Sequence, residues 1–234
     1  MKRWHLLPLL AAAFVLAGCG GDDGSGSGDD NGVAAKTADE IVADALEAGK
    51  AAQSVYVHGG TTAGSDPLEL DLHLVAGEGG EGHLVANGLS FDIVRIGDTA
   101  YFKGDEAFWQ QFGGNAAATL FEDKWVKAPA DSGDLASLTP LTDIGQLIEG
   151  ILGDHGTLEK GDETEVNGTS AIAVEDTEED GTLYVATEGE PYPLKLEGAG
   201  DGDSEGTIEF DDWDEEYELE APEDAVDMSQ LQGG

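Results

Sequence analysis

Short apolar–polar alternations repeat along most of this chain, and they constrain its fold more than any other feature. In Leu68–Val75, leucines at every second position are separated by Glu69, Asp71 and His73. A side-chain period of two puts the leucines on one face of a β-strand and the polar residues on the other. Glycine-rich turns such as Gly77–Gly80 separate this segment from the next one. The pattern therefore predicts antiparallel strands joined by short turns.

Strands of this kind are predicted on both sides of a central helical region. In chain order they are Ser54–His58, Leu68–Val75, Gly82–Ala86, Leu89–Ile96, Thr99–Lys103, Lys124–Lys127, Gly156–Lys160, Ser170–Glu175, Thr182–Thr187, Tyr192–Glu197, Gly206–Asp211 and Glu215–Leu219. A capping box at Thr37–Glu40 predicts a first helix. Apolar spacing predicts further helices at Glu106–Phe112, Ala116–Phe121 and Leu135–Leu152. Because an open sheet of about ten strands curls, we expect an α+β fold in which the predicted helices are available to fill or cover the concave face of a curled antiparallel sheet.

The N-terminus has the pattern of an export signal. Lys2 and Arg3 precede an apolar run, Leu6–Leu16, which is short for a transmembrane helix. The single cysteine of the chain, Cys19, follows directly, and one cysteine forms neither an internal disulfide nor a structural zinc site. The last residues, Leu16-Ala17-Gly18-Cys19, resemble the lipobox of bacterial lipoproteins. This resemblance implies cleavage before Cys19 and attachment of lipid to its sulfur.

These features divide the chain into three parts. We predict a signal peptide at 1–18, a flexible tether rich in Gly, Asp and Ser at 19–36 that carries the lipidated Cys19, and a single domain at 37–234. The alternative is an ordinary secretory signal with an incidental cysteine. A lipid anchor would place the domain at the extracytoplasmic face of the cell membrane.

The formal net charge of −40 excludes some partners. A surface this acidic repels phosphates, so we expect neither nucleic acid nor electrostatic docking on anionic lipid. The acidic residues serve either solubility or a basic partner. Catalytic motifs are missing as well: no serine lies in a nucleophile elbow, no glycine loop is built to hold phosphate, and no carboxylate pair stands out. We therefore predict no enzyme and no cofactor.

Two groups of residues contain side chains of the types that bind metal ions. Three histidines lie on successive predicted strands and could bind a transition metal if they shared a face: His58, His73 and His83. A second group has the spacing of a calcium loop: Asp201, Asp203, Glu205 and Asp212. Strands rather than helices flank that loop, which favours an acidic hairpin turn. The sequence predicts no metal site in either group.

Several segments resemble a known family. They are IGDTAYFKG with the nearby FW, then KWVKAP, VNGTSAIAV and GTLYVATEGEPYPLKLEG. Together they resemble the actinobacterial LppX/LprG lipoproteins, which are similar in fold to the LolA-type lipoprotein carriers. The likeness runs from about Ser54 to Leu231. It implies that 37–234 is a LolA-like domain, a half-open antiparallel β-barrel with a helical lid. Such a domain would hold acyl chains of lipids or glycolipids in an apolar cavity, with an envelope transport partner that the sequence does not identify.

The alternation and the helical stripes then indicate which side chains would line such a cavity. They are Val55, Val57, Leu70, Leu72, Leu74, Leu84, Phe91, Ile93 and Phe102 from the sheet, and Phe108, Trp109, Phe112, Leu147, Ile148 and Ile151 from the lid. The same side chains could instead pack together as a solid core, because alternation does not distinguish the two cases. With a solid core, the chain would be an acidic cell-surface interaction or cation-binding lipoprotein that carries no lipid.

Overall fold

The computed structural model describes residues 30–63, 66–178, 180–198 and 205–228. The predicted signal peptide and Cys19 lie outside the described residues, as do Asp201 and Asp203 of the calcium-loop pattern. No helix in the described ranges is long and apolar enough to cross a membrane.

Twelve strands in these ranges form one curled sheet that does not close into a barrel. The strands are β1 (Ser54–Ala63), β2 (Asp66–Val75), β3 (Gly79–Ala86), β4 (Leu89–Ile96), β5 (Thr99–Gly104), β6 (Val126–Pro129), β7 (Leu158–Val166), β8 (Thr169–Asp176), β9 (Gly181–Ala186), β10 (Pro193–Glu197), β11 (Glu205–Asp211) and β12 (Val226–Asp227). Their order is β12-β6-β5-β4-β3-β2-β1-β11-β10-β9-β8-β7. The sheet thus consists of two meanders that meet at the antiparallel pair of β1 and β11, and the predicted fold class is confirmed.

The alternation seen in the sequence is the alternation of burial in the strands. In β5, Ala100 and Phe102 are buried, whereas Thr99, Tyr101 and Lys103 are half-buried on the other face. The buried side chains face the concave side of the sheet, where the helices pack. The acidic and histidine side chains of β2 therefore lie on the convex side.

The described helices cover the concave face. They are α1 (Ala38–Ala51), α2 (Glu106–Phe121) and α3 (Ile144–Leu152), with short 3-10 helices at Val33–Ala35 and Asp134–Thr142. Helix α1 contacts β7 to β10, α2 contacts β4 and β5, and α3 packs against α1. The predicted capping box is confirmed, because Thr37 accepts a hydrogen bond from the Glu40 backbone while the Glu40 carboxylate accepts one from Thr37.

Helix α2 contains the interruption that the sequence predicts. Gly114 has φ 74° and ψ 179°, so the element consists of two short helices, as expected from Glu106–Phe112 and Ala116–Phe121. The Asp105 side chain accepts a hydrogen bond from the Phe108 backbone N–H and caps the first of them.

The stripe predicted as one helix at Leu135–Leu152 is instead divided. A 3-10 helix ends at Thr142, and α3 begins after Asp143, whose backbone is extended. Pro140 lacks an N–H and disfavours an α-helix at this point, while the Asp143 side chain caps α3 by accepting from the Gln146 backbone. Arg95 on β4 donates to the Thr142 side chain and carbonyl at 2.7 Å each, which attaches this segment to the sheet.

Two further expectations require correction. Glu215–Leu219 is not a strand. Strand β1 already pairs with β2 and β11, and β11 already pairs with β1 and β10, so neither offers this segment a free strand edge. The described fold also includes the last part of the predicted tether. Asp30 forms a bridge with Glu188, and Val33 is 1% exposed within the hydrophobic core.

The segment after β11 lies on the convex face of the sheet. The Tyr217 ring stacks on His73 with centroids 4.2 Å apart, and its hydroxyl donates to the Glu81 carboxylate. His73 in turn stacks on Tyr56 at 4.2 Å. This stack explains why a segment that forms no strand is nevertheless held against the sheet.

We expect Gly104→Ala to destabilise the protein. A Cβ at Gly104 would lie 2.3 Å from Cδ1 and 2.7 Å from Cβ of Phe108, so α2 would have to move away from β5. Overpacking of this kind costs about 1–3 kcal/mol in the free energy of unfolding. Gly150→Ala in α3 is the matched control: a Cβ there meets nothing within 4 Å, and we expect a gain of about 0.5–1 kcal/mol. Denaturant unfolding measures both, and a neutral Gly104→Ala would contradict the close packing of α2.

The contact of Tyr217 predicts a pH dependence. Burial, then the hydrogen bond to Glu81 and nearby carboxylates, raise the pKa of the Tyr217 hydroxyl from 10.0 to about 12. A raised folded pKa means that this contact stabilises the fold fully below about pH 10 and is lost as the pH rises to about 12. Phenolate absorbance, with Tyr217→Phe to identify the signal, should show this ionisation. We expect Glu81→Gln to lower this pKa. The control Glu69→Gln changes a carboxylate of β2 on the same face of the sheet and should leave the pKa unchanged. A pKa near 10 in the wild type would contradict the contact.

Candidate functional site

The predicted cavity residues of the sheet do share one face. Strand register aligns Val57, Leu72, Ile93 and Phe102 in a single row across β1, β2, β4 and β5, with Gly82 of β3 between Leu72 and Ile93. Each of these four side chains is at most 1% exposed. The period-two interpretation therefore identified the concave face correctly.

Helix α2 fills this part of the concave face. Phe108 stacks on Phe91 with centroids 4.8 Å apart and lies 6.3 Å from Phe102, while Trp109 meets it edge-on at 5.0 Å. Phe112 lies 4.9 Å from Phe108 on the half-buried side of the helix. Of the fifteen predicted lining residues, thirteen are buried in one cluster, and the remaining two, Phe112 and Ile151, are half-buried against it. The structure brings the predicted residues together as a packed core.

An apolar pocket lies in the other half of the molecule. It is bounded by α1 and α3 on one side and by β7 to β10 on the other. Its apolar walls are Val42, Ile151, Leu152, Leu158, Val174, Leu183 and Leu196. Its volume is about 90 Å³, less than the roughly 150 Å³ of a cavity that admits benzene. The pocket therefore has room for the end of an acyl chain and not for a whole one.

The polar rim of this pocket is acidic, and hydrogen bonds hold part of it in place. Asp154, His155 and Asp176 line it beside the apolar walls. The Asp176 carboxylate accepts from the backbone N–H of Gly156 at 2.6 Å and of Glu178 at 2.9 Å, which ties the end of β8 to the segment before β7. Because the rim carries carboxylates, it disfavours an anionic group at the pocket mouth.

Sequence reasoning found one wall residue of this pocket, Ile151, and missed the others. Val42 and Leu152 come from α1 and α3, and the other missed residues come from β7 to β10, whose apolar alternation predicts strands. Val174 on β8 and Leu183 on β9 are paired in register, and both are buried. The signal was therefore present in the same period-two pattern that identified Leu72 and its neighbours.

Trp109 carries an unusual polar atom within this apolar packing. Trp109 is only 1% exposed, and its buried Nε1 has no hydrogen-bond partner among the described residues. A buried donor left without an acceptor costs about 1–3 kcal/mol. Helix α2 also contains the break at Gly114 and the exposed Leu120. Helix α2 thus combines close aromatic packing with two irregular features, the unpaired Trp109 N–H and the break at Gly114.

The three histidines considered as metal ligands lie on the convex face but have separate partners. His58 Nε2 is 2.8 Å from Asp211 Oδ2, and His83 Nδ1 is 2.7 Å from Asp92 Oδ1. His73 stacks between Tyr56 and Tyr217. The group of His58, Glu209 and Asp211 does have the spacing of metal ligands.

The calcium-loop pattern is described only at its end. Asp201 and Asp203 lie outside the described residues, and the backbone of Glu205 begins β11 opposite Thr62. Asp212 is exposed, with φ 52°, in the turn that follows β11. The described part of this segment is therefore strand and turn, and the prediction that it binds no calcium stays a prediction.

Comparison with known proteins places the fold. No family model matches the chain, and no curated protein sequence matches it either. LprF from Mycobacterium bovis is similar in structure, with a TM-score of 0.51 and 14% sequence identity over 79% of this chain and 96% of that one. Lipoprotein LppX from Mycobacterium tuberculosis gives 0.47, with 16% identity over 78% and 99% of the two chains. A LolA superfamily protein from Nitrosomonas europaea gives 0.25, with 12% identity over 81% and 96%. The likeness to LprF confirms the resemblance seen in the sequence at the level of the fold.

Proposed function

We propose that this chain is a membrane-anchored lipoprotein that binds the acyl chains of a lipid or glycolipid between its helices and the concave face of its sheet. The observation that carries the proposal is the apolar pocket between α1, α3 and β7 to β10. The likeness to LprF supports a fold suited to it, and the sequence resemblance to LppX/LprG lipoproteins supports the ligand class.

Acyl binding would begin at this pocket. Ile151, Leu183 and Leu196 offer apolar contacts to a chain end, and each buried methylene contributes about 0.8 kcal/mol. A volume of about 90 Å³ accommodates only the first methylenes, so a longer chain requires a helix to move away from the sheet. Helices α1 and α3 are the candidates, because they form the wall of the pocket opposite β7 to β10. Their displacement would lengthen the pocket along Val174, Leu183 and Leu196.

The rim of the pocket bears on the lipid headgroup. Asp154 and Asp176 put negative charge beside the apolar walls, on a chain whose net charge is already −40. An anionic phosphate would be repelled there. We therefore propose a cargo whose polar group near the rim is uncharged or cationic, such as the sugar of a glycolipid.

The Leu16–Cys19 box would supply the membrane attachment. A fully extended chain from Cys19 to Asp30 reaches at most roughly 36 Å, at about 3.3 Å per residue. This reach would keep the pocket close to the membrane from which a lipid is taken up. Stable attachment needs two acyl chains or more, which a bacterial lipoprotein anchor provides.

One observation favours a second candidate function, an acidic surface protein that carries no lipid. Thirteen of the fifteen predicted lining residues are packed in a continuous core. If the helices never leave the sheet, the acidic exterior is the functional surface, and it would bind cations or basic partners. The acyl-binding experiment distinguishes the two candidates.

We expect Ile151→Trp to block acyl binding. The larger side chain would occupy the pocket, and the loss of two buried methylenes lowers affinity by at least about tenfold. Leu120→Trp is the matched control, because Leu120 is 49% exposed on α2 and does not line this pocket. Fluorescence titration of the delipidated protein with a polyene fatty-acyl methyl ester measures binding, and thermal melting verifies the fold. A wild type that binds no probe would favour the acidic surface protein.

We expect Cys19→Ser to abolish membrane attachment. Without the thiol, no lipid can be joined to the chain, so the protein should be released or should persist as an uncleaved precursor. Fractionation and immunoblotting of cells that express each form measure this. A mature-sized Cys19→Ser band that stays with the membranes would place the anchor elsewhere.

A further inference from the structure

The junction between the two meanders carries a group of side chains with the geometry of a metal site. Strands β1 and β11 are paired from Tyr56 opposite Asp211 to Thr62 opposite Glu205. His58 lies directly opposite Glu209, and Asp211 follows Glu209 by two residues on the same face. The register of one strand pair therefore holds an imidazole and two carboxylates together. His58 and Asp211 are 153 residues apart in the sequence.

We infer that His58, Glu209 and Asp211 form a binding site for a divalent transition-metal ion such as Zn²⁺. His58 Nε2 is 2.8 Å from Asp211 Oδ2 and 3.9 Å from Glu209 Oε2, and the three ligand atoms all lie within 4.8 Å of one another. Zinc bonds of about 2.1 Å in a tetrahedral site separate neighbouring ligand atoms by roughly 3.4 Å. The two distances from His58 lie on either side of that value, so small side-chain rotations would close the site.

Neighbouring residues hold two of the ligands in place. The Tyr56 ring stacks on His58 with centroids 4.7 Å apart and an angle of 24°. Asn167 donates to Glu209 Oε2 at 3.2 Å. Gly59, next to His58, has φ 126°, and a Cβ there would lie 2.1 Å from the Thr207 carbonyl oxygen. The backbones of β1 and β11 thus approach closely beside the site, which limits movement of the ligands relative to one another.

The electrostatic balance favours a dication. Two carboxylates and a neutral imidazole carry a charge of about −2, which a divalent ion neutralises. The lysine opposite Glu209 is Lys195, and its ammonium pairs with Glu197 at 2.5 Å. Asp71 lies opposite His58 on the β2 side and adds further negative charge. The nitrogen ligand favours zinc and other transition metals over Ca²⁺ and Mg²⁺, which prefer oxygen ligands alone.

The site would also have structural consequences. The side chains of His58, Glu209 and Asp211 are 32%, 30% and 38% exposed, so a bound ion would keep water in its remaining position. An ion at this place connects β1 to β11, the pair through which the two meanders are joined. Metal binding would therefore stabilise the junction of the sheet and raise the melting temperature.

The experiment is isothermal titration calorimetry of the full-length chain with Zn²⁺ alone, in physiological salt after treatment with EDTA and dialysis. All proteins carry Cys19→Ser, so that a free thiol cannot bind the metal. We expect one saturable site, a loss of affinity of at least tenfold in His58→Ala and in Asp211→Asn, and a rise in melting temperature with Zn²⁺ that His58→Ala lacks. The conservative Asp211→Asn guards against a folding defect, since melting without metal should match the parent.

His83→Ala is the matched control. His83 lies on the same face of the sheet and contacts Asp92. Among the described residues, however, the group with three ligand atoms within 4.8 Å of one another is the one at His58. We expect His83→Ala to bind Zn²⁺ as the parent does, and we expect Mg²⁺ to show no saturable site. Absence of a saturable Zn²⁺ site in the parent, or an equal loss in His83→Ala and His58→Ala, would overturn the inference.

Discussion

The pairing of β1 with β11 is the contact on which the rest of the structure depends. Each meander forms from neighbouring segments of the chain, but this pair joins residues near 56–62 to residues near 205–211. It makes one curled sheet from two, and the curl creates the concave face that the helices cover. The His58 group lies on the convex side of that junction, and the apolar pocket lies on the concave side, over β7 to β10.

The two sides of the sheet have different chemistry because the strands alternate. The concave side carries the buried row of Val57, Leu72, Ile93 and Phe102, against which α2 packs. The convex side carries a row in which basic and acidic groups alternate across the paired strands: Lys195, Glu209, His58, Asp71, His83, Asp92 and Lys103. On a chain with a net charge of −40, this row places scarce cationic and imidazole groups between carboxylates. A single period of two therefore separates an apolar face from a charged face.

The packing of the helices separates the molecule into a filled half and a half with space. On the side of β1 to β5, aromatic rings of α2 and of the sheet occupy the concave face, and Gly104 allows Phe108 to approach closely. On the side of β7 to β10, α1 and α3 present smaller aliphatic side chains such as Val42 and Ile151, and a pocket remains. The filled half is therefore held by contacts between aromatic rings, and the half with space is held by contacts between aliphatic side chains.

The sequence by itself determined most of the strands and turns and the starts of α1 and α2. Side-chain period, capping residues and glycine turns are local properties, so Leu89–Ile96 and the capping box of Thr37 could be predicted from neighbouring residues alone. Tertiary structure decided which strands pair, and therefore that Glu215–Leu219 has no free strand edge and that His58 meets Asp211. It also decided whether the concave face is filled or hollow. Alternation states which face a side chain points to, whereas the space left on that face depends on the size and approach of side chains from distant helices.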